Sequence, residues 1–93
     1  MLLIIGRFQV RPEQRTAFLD YAREIVKEER QVEGCVGFEI LQDVIQPDHF
    51  VMLEQWRDQA ALDQHLQREA YTHNSAKMES FFAAEAQWLE YEV

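Results

Sequence analysis

The apolar positions near the start of the chain change from the spacing of a strand to that of a helix. Residues 2–10 form a short apolar run rich in β-branched side chains, which predicts a first strand. Pro12 suits the first turn of a helix, because its nitrogen lacks a hydrogen and none is needed there. Over residues 13–33 apolar side chains recur at three- and four-residue steps, and Gly34 suits the left-handed residue that ends a helix. The pattern therefore predicts a helix over 13–33.

The next two segments predict a hairpin. Apolar residues alternate with other residues over positions 35–43, as they do in a half-buried strand. The sequence Gln-Pro-Asp at 46–48 supplies turn residues, and a further strand is expected to begin at Phe50.

The last third of the chain predicts helical structure followed by a strand. Asp58 is expected to cap a helix that begins at Gln59, and a break in that helix is expected within residues 68–72. Residues 86–93 alternate again and predict the final strand.

The resulting order, βαββαβ, predicts an α+β fold of the ferredoxin-like split type, with a four-stranded antiparallel sheet and one domain over residues 1–93. Two helical segments can cover only one face of such a sheet, although both faces carry apolar residues. We expect the second face to meet the same face of another subunit, giving a homodimer, a dimeric α+β barrel with an enclosed cavity. One face of the third strand carries Phe50, Met52, Glu54 and Trp56.

Composition narrows the classes of partner. The chain has 17 acidic and 9 basic residues among 93, a formal net charge of −8, so anionic nucleic acids and membrane surfaces are not expected to bind it. A single cysteine, Cys35, excludes an internal disulfide. The first residues lack the features of a signal peptide, and no apolar run approaches the ~20 residues of a membrane span. A cytoplasmic protein is predicted.

Three polar or amphipathic residues stand between apolar neighbours near the end of the third strand and in the following helix. Glu54 has Met52 and Trp56 on its own strand face, so its carboxylate must be paired, hydrogen-bonded or protonated; it could line a pocket, or anchor the structure with a partner such as Arg7. Trp56 could form a pocket wall or be a large core residue. His65 could transfer a proton near neutral pH or simply pack within the helix.

Other residues are weaker candidates. Phe50 and Met52 share a strand face with Glu54 and are predicted to contact a substrate. Tyr71 and Asn74 belong to a helical stripe that also fits core packing, with Asn74 its polar exception. No histidine pair has the spacing of metal ligands, and phosphate-loop and dinucleotide motifs are absent. We therefore predict no metal and no cofactor.

Two segments carry a resemblance to a known family. V-x-G-C-x-x-x-E-I at 32–40 and F-V-M-L-E-Q-W-x-D-Q-A-A-L-D-x-H-L at 50–66 resemble the antibiotic biosynthesis monooxygenase family, and most of all its small bacterial quinol monooxygenases. The resemblance implies a dimeric α+β barrel in which an electron-rich quinol or phenol reacts with O₂ without flavin, heme or metal.

The resemblance also suggests roles for individual residues. His65 would transfer a proton, Trp56 would contact substrate, and Glu54 would orient the substrate or accept a proton, with Tyr71 and Asn74 lining the cavity. Many members carry a second histidine five residues after the helical one, but Ala70 stands there in this chain. The iron-ligating histidine of related heme-degrading enzymes would fall near Ser75, so heme is not expected.

Two further hypotheses remain open. The chain could be an isomerase or other proton-transfer enzyme acting on a small oxygenated metabolite, or a dimer that binds aromatic compounds without turnover. Oxygen uptake separates the monooxygenase from both.

Overall fold

The computed structural model describes residues 1–93 and confirms the predicted order of strands and helices. The strands are β1 (Leu2–Gln9), β2 (Cys35–Gln42), β3 (His49–Trp56) and β4 (Gln87–Glu92), and the helices are α1 (Arg15–Glu29), α2 (Gln59–Leu66) and α3 (Glu69–Glu79). A short 3₁₀ turn, Pro12–Gln14, precedes α1. All the strand pairs are antiparallel, in the order β2-β3-β1-β4, so the predicted ferredoxin-like α+β fold is confirmed.

The first helix is shorter than predicted at both ends. Pro12 begins the 3₁₀ turn rather than the α-helix itself. Beyond Glu29 the backbone amides of Gln31 and Val32 bond to carbonyls three residues earlier, not four, so the chain tightens into turns. Gly34 has the expected left-handed conformation, with φ of 86°, but it lies several residues after the helix and leads into β2.

The second helical region begins and breaks close to where the sequence places it. The Asp58 side chain accepts a hydrogen bond of 2.8 Å from the Ala61 amide, which satisfies one of the free N–H groups of the first turn of α2. The helix ends at Leu66, and α3 begins at Glu69. The break therefore falls at residues 67 and 68, at the start of the predicted segment.

The main core lies between one face of the sheet and the helices. Phe50 stacks at 5.8 Å on Phe8 and meets Phe18 edge-on at 4.8 Å, measured between ring centroids. A smaller cluster packs at the other end of the sheet, around α2. The buried face of β3 carries the residues that alternation assigned to it, and the opposite face of the sheet has no helix over it. No helix is both long and apolar enough to cross a bilayer. The main cluster consists of Phe8, Val10, Phe18, Ala22, Ile25, Phe38, Phe50, Met52, Met78 and Phe81.

Candidate functional site

A cavity of about 260 Å³ lies between the covered face of the sheet and the three helices. This volume is close to the lower end of the range for small-molecule sites, ~300–1,000 Å³, and suits a ligand of one or two rings. Most of the wall is apolar, which lets a few polar groups orient a ligand. The polar or ionisable residues that line it are Glu29, Glu54, His65, Tyr71, Asn74, Ser75 and Glu79.

His65 projects from α2 into the wall of this cavity and is only 4% exposed. Its ring stacks on Trp56 at 4.5 Å and meets Tyr71 edge-on at 5.2 Å, between ring centroids. Burial lowers the pKa of His65 to about 4, and the positive charge of Arg68 contributes to the decrease. The imidazole is therefore neutral at pH 7 and able to accept a proton.

Glu54 lines the same cavity from β3. The indole Nε1–H of Trp56 donates a hydrogen bond of 3.2 Å to Glu54 Oε1. Burial raises the pKa of Glu54 to about 7; the Trp56 hydrogen bond opposes this change and the negative charge of Glu29 adds to it. Both protonation states of Glu54 are consequently populated near neutral pH. Arg7, suggested from the sequence as a partner, lies on the exposed side of β1 and makes no contact with Glu54.

Glu29 is a residue of the site that the sequence analysis missed. It projects from the last turn of α1, is 6% exposed, and its Oε2 atom lies 3.4 Å from Nδ1 of His65. The geometry of that contact does not meet the requirements of a hydrogen bond, and neither atom has another partner in the chain. Burial raises the pKa of Glu29, while Arg68 and the side chain of Asn74 act in the opposite direction. Glu29 continues the apolar stripe of α1, four residues after Ile25, and that spacing was the available signal.

Two residues predicted to contact a substrate do not reach the cavity surface. Trp56 is fully buried behind His65, where it supports the imidazole ring and Glu54. Phe50 is enclosed by Phe8 and Phe18 in the main core. The structure thus gives both a supporting position, because neither residue lines the cavity.

The other predicted substrate contacts do line the cavity: Met52 from β3, and Tyr71 and Asn74 from α3. Trp88 of β4 also lines it and was not predicted from the sequence. Its indole lies over Gly6 of β1, so closely that a Cβ atom at residue 6 would overlap the ring. Alternation in β4 could not reveal this placement, because it depends on a glycine in the neighbouring strand.

The remaining residues that could carry chemistry lie elsewhere. His49 and His73 are exposed and outside the cavity lining. Ala70 is exposed in the first turn of α3, and Ser75 lines the cavity. The chain contains no group of three or more histidine, cysteine, aspartate or glutamate side chains arranged to hold a metal ion. Burial raises the pKa of the Cys35 thiol, which disfavours the reactive thiolate.

Comparison with known proteins agrees with this fold. Residues 1–77 match the model of the family described as "Antibiotic biosynthesis monooxygenase". The chain belongs to the antibiotic biosynthesis monooxygenase family. The "Probable quinol monooxygenase YgiN" of Escherichia coli K12 is 38% identical over 77 residues, covering 72% of this chain and 74% of that protein. The "Putative monooxygenase YcnE" of Bacillus subtilis strain 168 is 35% identical over 65 residues, covering 70% of this chain and 68% of that protein.

Solved structures show the same architecture over the whole chain. A crystal structure of an antibiotic biosynthesis monooxygenase is 29% identical and superposes with a TM-score of 0.89, covering 100% of this chain and 98% of that one. Rv0793 from Mycobacterium tuberculosis is 21% identical with a TM-score of 0.86, covering 99% of this chain and 93% of that one. At this identity the similarity establishes only the fold.

Proposed function

We propose that this member of the antibiotic biosynthesis monooxygenase family oxidises a small aromatic quinol or phenol with O₂, without a bound cofactor. The observation that carries the proposal is a neutral, buried imidazole at the wall of an apolar cavity of about 260 Å³. Family membership and the name of the Escherichia coli relative support an oxygenase.

His65 would act first, by taking a proton from a substrate hydroxyl. A deprotonated quinol is a much better electron donor than the neutral molecule, so proton transfer prepares the substrate to give an electron to O₂. The imidazole can take this proton because it is neutral at pH 7, and its removal from bulk water strengthens its attraction to the oxyanion that forms beside it.

The electron balance requires no external reductant. For a quinol, one oxygen atom of O₂ enters the ring as a hydroxyl group and the other leaves as water, giving a hydroxylated quinone. O₂ accepts four electrons, of which two come from oxidation of the quinol to the quinone level and two from the carbon–hydrogen bond that is replaced. The protein therefore has to supply proton transfer, orientation and a water-poor cavity.

Glu54 and Trp56 would complete the proton chemistry. With a pKa of about 7, Glu54 can hold or release a proton during the formation of water. Trp56 fixes the carboxyl through its Nε1–H bond and supports the face of the His65 ring. We assign direct contact with the aromatic substrate to Met52 and Trp88 in the cavity wall.

The test is oxygen consumption by the purified protein with a panel of reduced naphthoquinols and polyphenols, corrected for spontaneous oxidation. We expect uptake above background, and a loss of about 100-fold or more in His65→Ala, because general base catalysis contributes ~10²–10⁴-fold. His73→Ala is the matched control, since His73 is exposed and outside the cavity. No uptake with any substrate, or equal rates in the two variants, would contradict the proposal; proton exchange without oxygen uptake would favour the isomerase.

We also propose that the chain acts as a homodimer, formed through the open face of the sheet. Ile5 of β1 lies directly between Leu53 of β3 and Leu89 of β4 on that face, and Leu89 is 48% exposed. A row of apolar side chains across three strands is the kind of surface that a second sheet covers.

Light scattering on the eluting protein tests the dimer. We expect the wild type to have twice the mass of one chain. Ile5→Lys should have the mass of one chain, because it places a charge at the centre of the face. Gln64→Lys adds the same charge at an exposed position of α2 and should remain dimeric. A monomeric wild-type protein would refute the interface.

A further inference from the structure

The contact between Glu29 and His65 suggests a ligand-binding role that the general chemistry of an oxygenase does not require. Both side chains are more than nine-tenths buried, both line the cavity, and Glu29 Oε2 lies 3.4 Å from His65 Nδ1 without forming a hydrogen bond. A buried polar atom without a partner is destabilising, because it has lost its hydrogen bonds to water without gaining others. The two atoms face each other beneath the cavity surface, and a ligand group that enters between the two side chains would give both of them a partner.

We propose that Glu29 and His65 together bind one free hydroxyl group of the substrate, and that this pair selects uncharged aromatic alcohols over their ethers and over carboxylated aromatics. The inference rests on the proposed function only in placing the substrate in this cavity. It adds the residue that recognises the hydroxyl group, and it specifies that the ligand is uncharged.

The first part of the selectivity follows from the proton that the pair can share. When the pair carries one proton, one of the two facing atoms is a donor and the other an acceptor. A hydroxyl group is both donor and acceptor, so it can bond to Oε2 and to Nδ1 at the same time. A methoxy group can only accept, and would leave one of the two buried atoms without a partner.

The second part follows from the charges around the cavity. Glu29, Glu54 and Glu79 line it, and no lysine or arginine does. Arg68 acts electrostatically on the pair but lies outside the cavity lining. A ligand carboxylate would therefore enter an apolar space beside other carboxyl groups, without a cation to neutralise it.

Binding of redox-stable ligands tests this pair apart from turnover. The probes are 1-naphthol, 1-methoxynaphthalene, 5-hydroxy-1-naphthoate and the methyl ester of the latter, titrated against the intact wild-type protein by calorimetry at pH 7. We expect 1-naphthol to bind at least about tenfold more tightly than its methyl ether, since one buried group is left unpaired in the ether complex. The hydroxynaphthoate ester should likewise bind at least about tenfold more tightly than the free acid, which is ionised at this pH.

Glu29→Gln identifies the residue responsible. Glutamine has nearly the shape of glutamate but no charge, and its amide can donate to an ether oxygen. The alcohol-to-ether affinity ratio should therefore fall towards one in this variant, and the ester-to-acid ratio should decrease but stay above one, because Glu54 and Glu79 still line the cavity. Glu28→Gln is the matched control, because it removes the same charge from the adjacent, exposed position of α1, and it should keep both ratios.

The outcomes separate this inference from the proposed function. Equal binding of 1-naphthol and 1-methoxynaphthalene by the wild type, no binding of any probe, or unchanged ratios in Glu29→Gln would overturn the inference. The affinity ratios of the wild-type protein test the inference even if Glu29→Gln fails to fold. Selective binding without oxygen uptake would instead refute the oxygenase and support the hydroxyl site. Oxygen uptake with unselective binding would support the oxygenase and refute the hydroxyl site.

Discussion

Replacing Glu54 with glutamine should stabilise the protein at high pH and leave its stability at low pH nearly unchanged. Glu54 is 8% exposed, and burial is the main reason that its pKa is raised from 4.5 to about 7. Between these two values the folded protein binds a proton that the unfolded chain has lost, so the free energy of unfolding decreases as the pH rises. A glutamine side chain cannot ionise, and the variant therefore lacks this decrease.

The magnitude follows from the two pKa values. At 1.36 kcal/mol per pKa unit, the change from 4.5 to about 7 corresponds to about 3 kcal/mol. At pH 4.5 and below, glutamine resembles the protonated carboxyl group and can still accept the Nε1–H bond of Trp56. At pH 8, Glu54→Gln should be the more stable protein by about 2–3 kcal/mol.

Urea unfolding at pH 4.5 and pH 8, followed by tryptophan fluorescence at one fixed protein concentration, measures this difference. His65 is present in both proteins, so its own pH dependence cancels in the comparison. Glu39→Gln, at an exposed position of β2, is the control and should show no such change between the two pH values. A stability difference between wild type and Glu54→Gln that is independent of pH would refute the view that Glu54 is buried in the way the structure describes.

Three other substitutions test separate parts of the site. His65→Gln should remove the contribution of His65 to the pH dependence, a stability decrease of about 3 kcal/mol between pH 6.5 and about 4 that opposes the effect of Glu54, since the folded state disfavours the charged imidazole; equal pH dependence of unfolding in both proteins would contradict this. Trp56→Phe should raise the pKa of Glu54 further, because the indole hydrogen bond lowers it, and an unchanged titration of the Glu54 carboxyl carbon in NMR spectra would argue against that bond. Gly6→Ala should displace the half-exposed Trp88 ring and change tryptophan emission, because the new methyl group overlaps that ring; emission like that of the wild type would show that Trp88 does not lie there.

The sequence predicted the order of the elements because each boundary depends on local chemistry. Asp58 caps α2 by bonding to an amide three residues away, and Gly34 adopts a positive φ that other residues avoid. These interactions need no knowledge of the rest of the chain. The end of α1 was misplaced because the polar segment after Glu29 continues in tighter turns, which hydrophobic spacing does not distinguish from a helix.

The composition of the cavity wall was less predictable. It depends on which side chains are covered by other elements, and not only on which face of a strand or helix carries them. Alternation correctly placed Phe50, Met52, Glu54 and Trp56 on one face of β3, yet only Met52 and Glu54 border the cavity. Phe50 is covered from α1 and Trp56 from α2. Helices that are distant in sequence determine which side chains of this buried row face the cavity.

Glu29 shows a different reason for failure. Its spacing from Ile25 placed it on the buried side of α1, but it lies in a strongly charged run, Lys-Glu-Glu-Arg at 27–30, which is typical of a solvated helix end. Only the approach of α2 brings Nδ1 of His65 to 3.4 Å from its carboxyl group. A charged residue that obeys an apolar spacing is therefore a useful candidate for a site when the partner helix is unknown.

The pKa values of the site have a consequence for the order of events in the proposed reaction. The resting protein disfavours a positive charge on His65 and a negative charge on Glu54, and burial is the main cause of both effects. An imidazolium formed alone would therefore be unstable. An imidazolium formed beside the oxyanion of a deprotonated substrate is stabilised by that opposite charge. His65 should accordingly accept a proton only when a hydroxyl-bearing ligand occupies the cavity, which couples formation of the oxygen-reactive anion to substrate binding.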